Sequence, residues 1–502
     1  MVVKLGVLFK MKKQMKQAIL KYLNFGILAC VGVSLFMRGR LFNMAYEYDE
    51  LFTAITTDPM RPFSWIYSNY LLVDVHPPLY NAILWVWNHF VPYGPELWLR
   101  LPSFFMGIGA LMCAWFFFPK FFGKLTRLVF VGLLSCNIYL IFYSQHARSY
   151  MLMLLFSVPV TFLFLDIFRR IAKHRRVAPL KWVTFAVLSI LLCWSHYFGA
   201  LLVGLCSIFL FANAWYNKTY IRTVLIIIAA ITMSFLPWLV PNFIEQISFK
   251  RFAGNWWAKD SPWSSIPEMF LLSFFTKWYT GIIMFALISV SFVWLRTQYR
   301  YRRGIPYFRE MLLLLSIFVC TLVIVALLSL KTYMFFGRYF IAFFPVVYLL
   351  IALLLAPLMR RSLCSKSIFI GLLVVNLVIF GFGHKELKYT PKISSRMVSQ
   401  IYKNKFRGKE IFVIAVEGFP PVTMPAMYGF YVNRVFGLNV PVTELFWLDD
   451  ESRNRALTRK ENAFIWMPNC TKAKLQKVSS KWKRSLGVYG RVSDVCILKI
   501  SD

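Results

Sequence analysis

The sequence predicts a mainly α, polytopic membrane protein with a small α/β domain at its C-terminal end, on three observations. Of its 502 residues 59% are hydrophobic and only 16% charged, more apolar than a soluble chain needs for its core. The surplus is gathered into about eleven runs of 13 to 22 residues, read as helices that cross a bilayer, the shorter ones beside corners where the chain turns. The basic residues, 57 Lys and Arg against 21 Asp and Glu, fall mostly in alternate gaps between those runs and in the tail.

The runs are Ile19 to Phe36, Leu97 to Phe118, Leu125 to Tyr143, Tyr150 to Phe168, Trp182 to Trp194, Phe198 to Trp215, Tyr220 to Val240, Tyr279 to Leu295, Met311 to Leu330, Phe340 to Pro357 and Ile368 to Phe382. Arg38 and Arg40 stand where a signal peptide would carry small residues, so the first run reads as a retained span. Basic clusters mark the N-terminus, Lys120/Lys124/Arg127, Arg169 to Lys181, Lys218/Arg222, Arg296 to Arg309 and Arg360/Arg361/Lys366. The positive-inside rule assigns all of them to the cytoplasm.

Parity then makes Pro77 to Val91 one helix too many. It is short, carries Asn88 and His89 and ends at Pro92-Tyr93-Gly94-Pro95, which predicts a helix along the outer membrane surface. Were it a crossing, the later loops would invert and Arg169 to Lys181 would lie outside. The expected layout has a transmembrane domain over 1–383, outer loops at 37–96 and 241–278, and an extracytoplasmic domain over 384–502. In that tail strands are expected at Ile411 to Val416, Ala463 to Met467 and Val495 to Ile500, and a helix from Ser394 to Lys403.

The formal charge of +36 sits in loops and tail, where it sets orientation and contacts anionic lipid and phosphate; no nucleic-acid partner is expected. Six of nine Cys lie within apolar runs, and none forms the close pairs a metal site needs. Cys470 and Cys496 in the tail leave a disulfide open.

Polar residues concentrate in the segments assigned to the outer face. Tyr48-Asp49-Glu50 places carboxylates at the mouth of a chain that has few. One of them can take a proton from an acceptor hydroxyl as it attacks an anomeric carbon; a charge cluster at a helix start reads equally well. A phosphate leaving group needs no general acid, so paired opposed carboxylates are not required. Asp74-Val75-His76-Pro77-Pro78 holds Asp74 and His76 at the entry to the short helix, though such a turn is more often structural. Tyr143-Ser144-Gln145-His146-Ala147-Arg148-Ser149-Tyr150 is a polar knot between two spans. An Arg there needs a partner, either an anion such as a phosphate or lipid headgroups reached by snorkelling. Arg100 and Gly337-Arg338-Tyr339 follow the same logic, Gly337 allowing close approach. His196-Tyr197 marks a corner between short spans, where a structural histidine is the simpler reading. Trp256, Trp257 and Trp263 suit the interface.

In order and spacing these pieces resemble the protein O-mannosyltransferase-like branch of the GT-C glycosyltransferases, which includes bacterial lipid A aminoarabinose transferase and lipopolysaccharide-core galacturonosyltransferases. The resemblance implies a polyprenyl-phosphate sugar donor, an extracytoplasmic site, inversion at the anomeric carbon and a lipid, glycan or protein acceptor. Asp49 would then be the catalytic base with Glu50 beside it, and Arg148 and Arg338 would hold the carrier phosphate. His76 stands where the aminoarabinose enzymes have Lys, and would contact phosphate or acceptor. Asp74, Tyr150, His196 and Tyr197 would line the substrate site. The loop after Val240 lacks the large insert of the eukaryotic protein mannosyltransferases, which favours a bacterial inner-membrane enzyme. No cofactor is implied with certainty; a divalent cation near phosphate is possible, without an evident ligand set. The competing class is a flippase or transporter of lipid-linked sugars, for which related halves and broken, charged midplane spans are the signature.

Overall fold

Helices account for the apolar runs, and their caps and breaks follow from the residues between them. In chain order they are α1 (Asn24–Met37), α2 (Tyr48–Ile55), α3 (Phe63–Asn69), α4 (Leu79–Asn88), α5 (Glu96–Phe116), α6 (Lys124–Cys136), α7 (Ile138–Tyr143), α8 (Tyr150–Ala172), α9 (Pro179–Ser195), α10 (Tyr197–Tyr216), α11 (Ile221–Ile247), α12 (Ile266–Phe275), α13 (Trp278–Tyr299), α14 (Phe308–Ser329), α15 (Phe344–Met359) and α16 (Leu363–Phe382). The structure is a computed structural model. It describes residues 22, 24–39, 46–74, 76–91, 96–247, 263, 266–275, 278–299, 307–330, 333–382, 402–404, 410–414, 442–445, 463–467, 476, 485–492 and 495–501.

Among the described residues eight helices are long and apolar enough to cross a membrane: α5, α8, α10, α11, α13, α14, the 3-10 turn Gly337–Phe343 joined to α15, and α16. The other three expected runs are the shorter helices α1 and α9 and the interrupted pair α6 and α7. The chain is a multi-pass membrane protein. Two segments depart from the sequence expectation. The loop expected from Pro241 begins only after α11 reaches Ile247, and it contains α12. The run from Leu125 to Tyr143 is broken at Asn137, which is extended (φ −71°, ψ 121°).

The chain divides into two compact units, Met1–Leu41 with Arg100–Val240 and Ala258–Lys385, and Phe42–Leu99 with Pro241–Trp257 and Glu386–Asp502. The first unit holds the apolar helices. Asn137 breaks its run because an amide side chain can replace the helix's own backbone bonds: Oδ1 accepts from Leu140 N–H at 2.8 Å and caps α7. Its Nδ2 donates to the Ser273 and Phe274 carbonyls at the end of α12, at 2.9 and 3.3 Å. Tyr348 of α15 donates to the same Phe274 carbonyl at 2.9 Å.

The two ends of this unit differ in chemistry and are separated by the 23-residue α8, about 34 Å long. At its C-terminal end the Arg169 guanidinium pairs with Glu310 at 2.8 Å and lies over Phe121 and Tyr307. Arg127 covers Trp115 and Arg361 covers Trp294. Asp166 bonds both Arg170 and Lys181, and Tyr220 accepts from Val177 N–H. The described parts of the basic loops thus meet at one end, as a one-sided charge distribution requires.

In the second unit α2, α3 and α4 have 8, 7 and 10 residues, at most about 15 Å each and too short to span. The segment 77–91 is therefore not a crossing. Buried amides lock α4 to the end of α2. Asn81 donates to Thr56 Oγ1 at 2.7 Å, and Asn88 to the carbonyl and hydroxyl of Thr57 at 3.0 Å. The tail forms a five-stranded sheet of order β2-β1-β3-β5-β4, with β1 (Glu410–Ile414), β2 (Val442–Leu445), β3 (Ala463–Met467), β4 (Ser485–Val492) and β5 (Val495–Ser501). β1 pairs parallel with β2 and β3, while β5 pairs antiparallel with β3 and β4. β1, β3 and β5 fall on the three expected strands; β2 and β4 were not expected. Of the expected helix from Ser394 to Lys403 only the last positions lie within the described residues, and Cys470 lies outside them.

Asn137→Leu is expected to cost about 2 kcal/mol, a cap of about 1 kcal/mol plus an interhelical bond. Asn137→Ser, which keeps the cap, is expected to recover about half. Thermal unfolding in detergent reads both, and equal melting of all three proteins would refute the role.

Candidate active site

The structure brings the sequence-distant motifs of the first unit together at the end opposite the basic loops. The turn Ser144 to Ser149 joins α7 to α8, His196 joins α9 to α10, and Gly337–Phe343 leads into α15. Aromatic rings connect them. Tyr150 at the start of α8 packs on Tyr143 (4.8 Å between centroids) and on His196 (6.0 Å), and His196 packs on Tyr339 (5.3 Å). His146 lies against Phe142 at 4.1 Å, and the Arg338 guanidinium lies 5.6 Å from the Tyr339 ring. Arg148, Tyr150 and His196 are buried.

His196 is extended and caps α10, its Nδ1 accepting from Phe198 N–H at 3.1 Å. In the neutral ring the proton is therefore on Nε2, which suits donation to an oxygen. Tyr197 turns elsewhere, its hydroxyl accepting from Trp238 Nε1 at 3.1 Å. Gly337 supports the close approach expected of it: a Cβ there would collide with the Ser273 hydroxyl and reach 3.0 Å from Tyr139 Oη. Trp263, exposed, packs edge-on to Tyr333 and Phe335 in the same segment. Trp256 and Trp257 lie outside the described residues.

The remaining expected site residues belong to the second unit. Asp49 stands half-buried in the first turn of α2, where the helix dipole favours a carboxylate. Glu50 is fully buried and accepts from Glu47 N–H at 3.2 Å, which makes it the third-position member of a capping box. Asp74 and His76, both buried, lie 3.3 Å apart through Oδ1 and Nδ1. That contact fixes the imidazole and leaves Nε2 as its other working atom. Among the described residues no group of three or more His, Cys, Asp or Glu side chains is placed to hold a metal ion.

Sequence reading missed Arg38. Fully buried beyond α1, it donates through Nη1 to the Leu140 carbonyl (2.9 Å) and Ser144 Oγ, and through Nη2 to the Ser135 carbonyl (3.1 Å). The signal was available: a cation at the end of a first span that the loop charges assign to the outside runs against the bias used to orient the chain.

The fold is similar to that of solved structures. ArnT from Cupriavidus metallidurans bound to undecaprenyl phosphate superposes with a TM-score of 0.57 at 12% identity, over 94% of this chain and 97% of that one. The chain has the GT-C fold. The apo form of the same ArnT gives a TM-score of 0.58 at 13% identity with the same coverage. The Archaeoglobus fulgidus oligosaccharyltransferase tethered with an acceptor peptide gives 0.51 at 10% identity, over 95% of this chain and 74% of that one. At these identities the likeness is one of fold. No family model matches the chain, and no curated protein matches it by sequence.

Glu50→Ala is expected to destabilise the protein by about 1 kcal/mol through the lost cap, whereas Glu50→Gln, which caps equally well, is expected to melt like the wild type. A melting loss for Glu50→Gln as large as that for Glu50→Ala would remove the capping role.

Proposed function

We propose that this protein is a membrane glycosyltransferase that moves a sugar from a polyprenyl-phosphate carrier to a lipid, glycan or protein acceptor, with inversion. The observation that carries the reading is the gathering of Arg148, Tyr150, His196 and Tyr339 at one end of a GT-C bundle, with the basic loops at the other. A buried arginine at a helix-joining turn suits a phosphate monoester or diester, to which guanidinium donates in a planar fork. The fold is shared with an ArnT that was solved with undecaprenyl phosphate.

In the proposed reaction Asp49 accepts the acceptor's hydroxyl proton as that oxygen bonds to the anomeric carbon. The bond from that carbon to the phosphate oxygen breaks, and the electron pair leaves on the carrier phosphate. Arg148 and Arg338 stabilise the charge that gathers there, and no proton donor to the leaving group is needed. His76, oriented by Asp74, and His196 donate to phosphate or sugar oxygens. Glu50 holds the first turn of α2 in place beside Asp49. A transporter of lipid-linked sugars would use polar groups near the membrane midplane; the polar rings here lie at one end of the helices instead.

In this reading the basic end faces the cytoplasm by the positive-inside rule, the Arg148 end and the C-terminal domain face outside, and the membrane is a bacterial inner membrane. Impermeant maleimide applied to spheroplasts is expected to label a cysteine at Met60 (68% exposed) in Met60→Cys and to spare Lys173→Cys until the membrane is opened. The reverse pattern would invert the orientation.

Mass spectrometry of surface glycolipids from a deletion strain is expected to show one sugar missing, restored by the wild type and not by Asp49→Asn at equal protein level. On chemistry worth 10²- to 10⁴-fold for a general base, product falls by at least about a hundredfold. Full restoration by Asp49→Asn would remove Asp49 from the reaction.

A further inference from the structure

Arg38 is a buried cation that this reaction does not use. Its guanidinium, 1% exposed, bonds only neutral acceptors, and among the described residues no carboxylate pairs with it and its Nε has no hydrogen-bond partner. Enclosing such a charge without an anion costs several kcal/mol. Its three acceptors show what the charge is set against. Ser135 stands just before the break at Asn137, Leu140 in the short helix after it, and Ser144 at the first position of the turn that carries Arg148. Arg38 therefore ties the carbonyl at the end of α6, and the short helix after the break, to that turn.

The other end of the turn is fixed independently. Ser103 of α5 donates to the Arg148 carbonyl at 3.3 Å, and within the turn Arg148 N–H bonds the His146 carbonyl at 2.8 Å. Gly107, four residues after Ser103 and so on the same face of α5, leaves the room that Ser144 and Arg38 occupy. A Cβ there would stand 2.8 Å from Ser144 Oγ and 3.5 Å from Arg38 Nη1. Two contacts at the turn's ends and one missing methyl beneath it fix its path.

We propose that Arg38 is a positioning residue for lipid-phosphate binding: by holding Ser144 it sets the turn that presents Arg148, and it acts on the ligand only through Arg148. The inference rests on Arg148 being a phosphate ligand. Three neutral acceptors on one guanidinium demand its planar fork; a lysine ammonium keeps the charge and cannot hold all three in that geometry.

The experiment measures binding of undecaprenyl phosphate, with undecaprenol as the probe lacking phosphate, to the purified full-length protein in nanodiscs. Arg38→Met and Arg38→Lys are each expected to weaken undecaprenyl phosphate binding about tenfold, the effect of one lost charge-assisted bond, and to leave undecaprenol unchanged. In the Arg148→Gln background Arg38→Met is expected to add nothing, the mark of two residues acting through one contact. Additive losses, equal losses for both lipids, or wild-type binding by Arg38→Lys would each overturn the proposal. Wild-type binding by Arg148→Gln would instead overturn the reading of Arg148 itself. Should Arg38→Met fail to fold, Gly107→Ala displaces Ser144 with Arg38 intact and is expected to weaken undecaprenyl phosphate alone; unchanged binding overturns the inference equally.

Discussion

The first unit depends on how one interrupted span satisfies its backbone. A helix that breaks within an apolar run frees carbonyl and amide groups, each costing several kcal/mol if left dry. Here the break at Asn137 is met by its own amide, which caps α7, and by Arg38 on the Ser135 carbonyl, while the Asn137 Nδ2 ties the break to the end of α12. The consequence is geometric. The span ends early, its last helical piece turns into Ser144 to Ser149, and α12 is held where Gly337 can pack against Ser273. Arg148, Arg338 and the rings between them take their places from that one irregularity.

The distribution of charge supports this arrangement. Arg127, Arg169 and Arg361 lie over aromatic faces, and Arg169 is also paired with Glu310, so the basic end is cross-linked as well as solvated. At the other end the Arg338 guanidinium stands beside the Phe336 and Tyr339 rings, and Tyr150, His196 and Tyr339 pack in series. One end of the bundle is thereby organised by an ion pair and cation–ring contacts, and the other by a series of packed aromatic rings.

Much of the fold was legible because hydrophobic runs and loop charge are one-dimensional signals. Residues 77 to 91 were excluded as a span by charge parity alone, and the length of α4 agrees. Strands β1, β3 and β5 announced themselves by short β-branched and aromatic runs, whereas β2, as Val442-Thr443-Glu444-Leu445, carries half its residues polar, and β4 holds two glycines. Asn137 looked like one polar residue in a long apolar run, since capping depends on where the chain bends rather than on composition. The site was legible as motifs but not as contacts: nothing in the spacing of Tyr150, His196 and Tyr339 says that their rings meet. Glu50 read as a partner of Asp49 because adjacency in sequence hides that successive helix positions face different ways; the two carboxylates have different surroundings.

The amide locks between α2 and α4 bear on how such a chain changes over generations. Asn81 and Thr56, and Asn88 and Thr57, are matched donors and acceptors in a dry environment, so losing either member strands the other at a cost larger than the bond itself was worth. Drift at these positions is therefore expected to be concerted, with apolar pairs replacing polar pairs together, and a search for distant kin would find them as covarying columns before it found any shared identity.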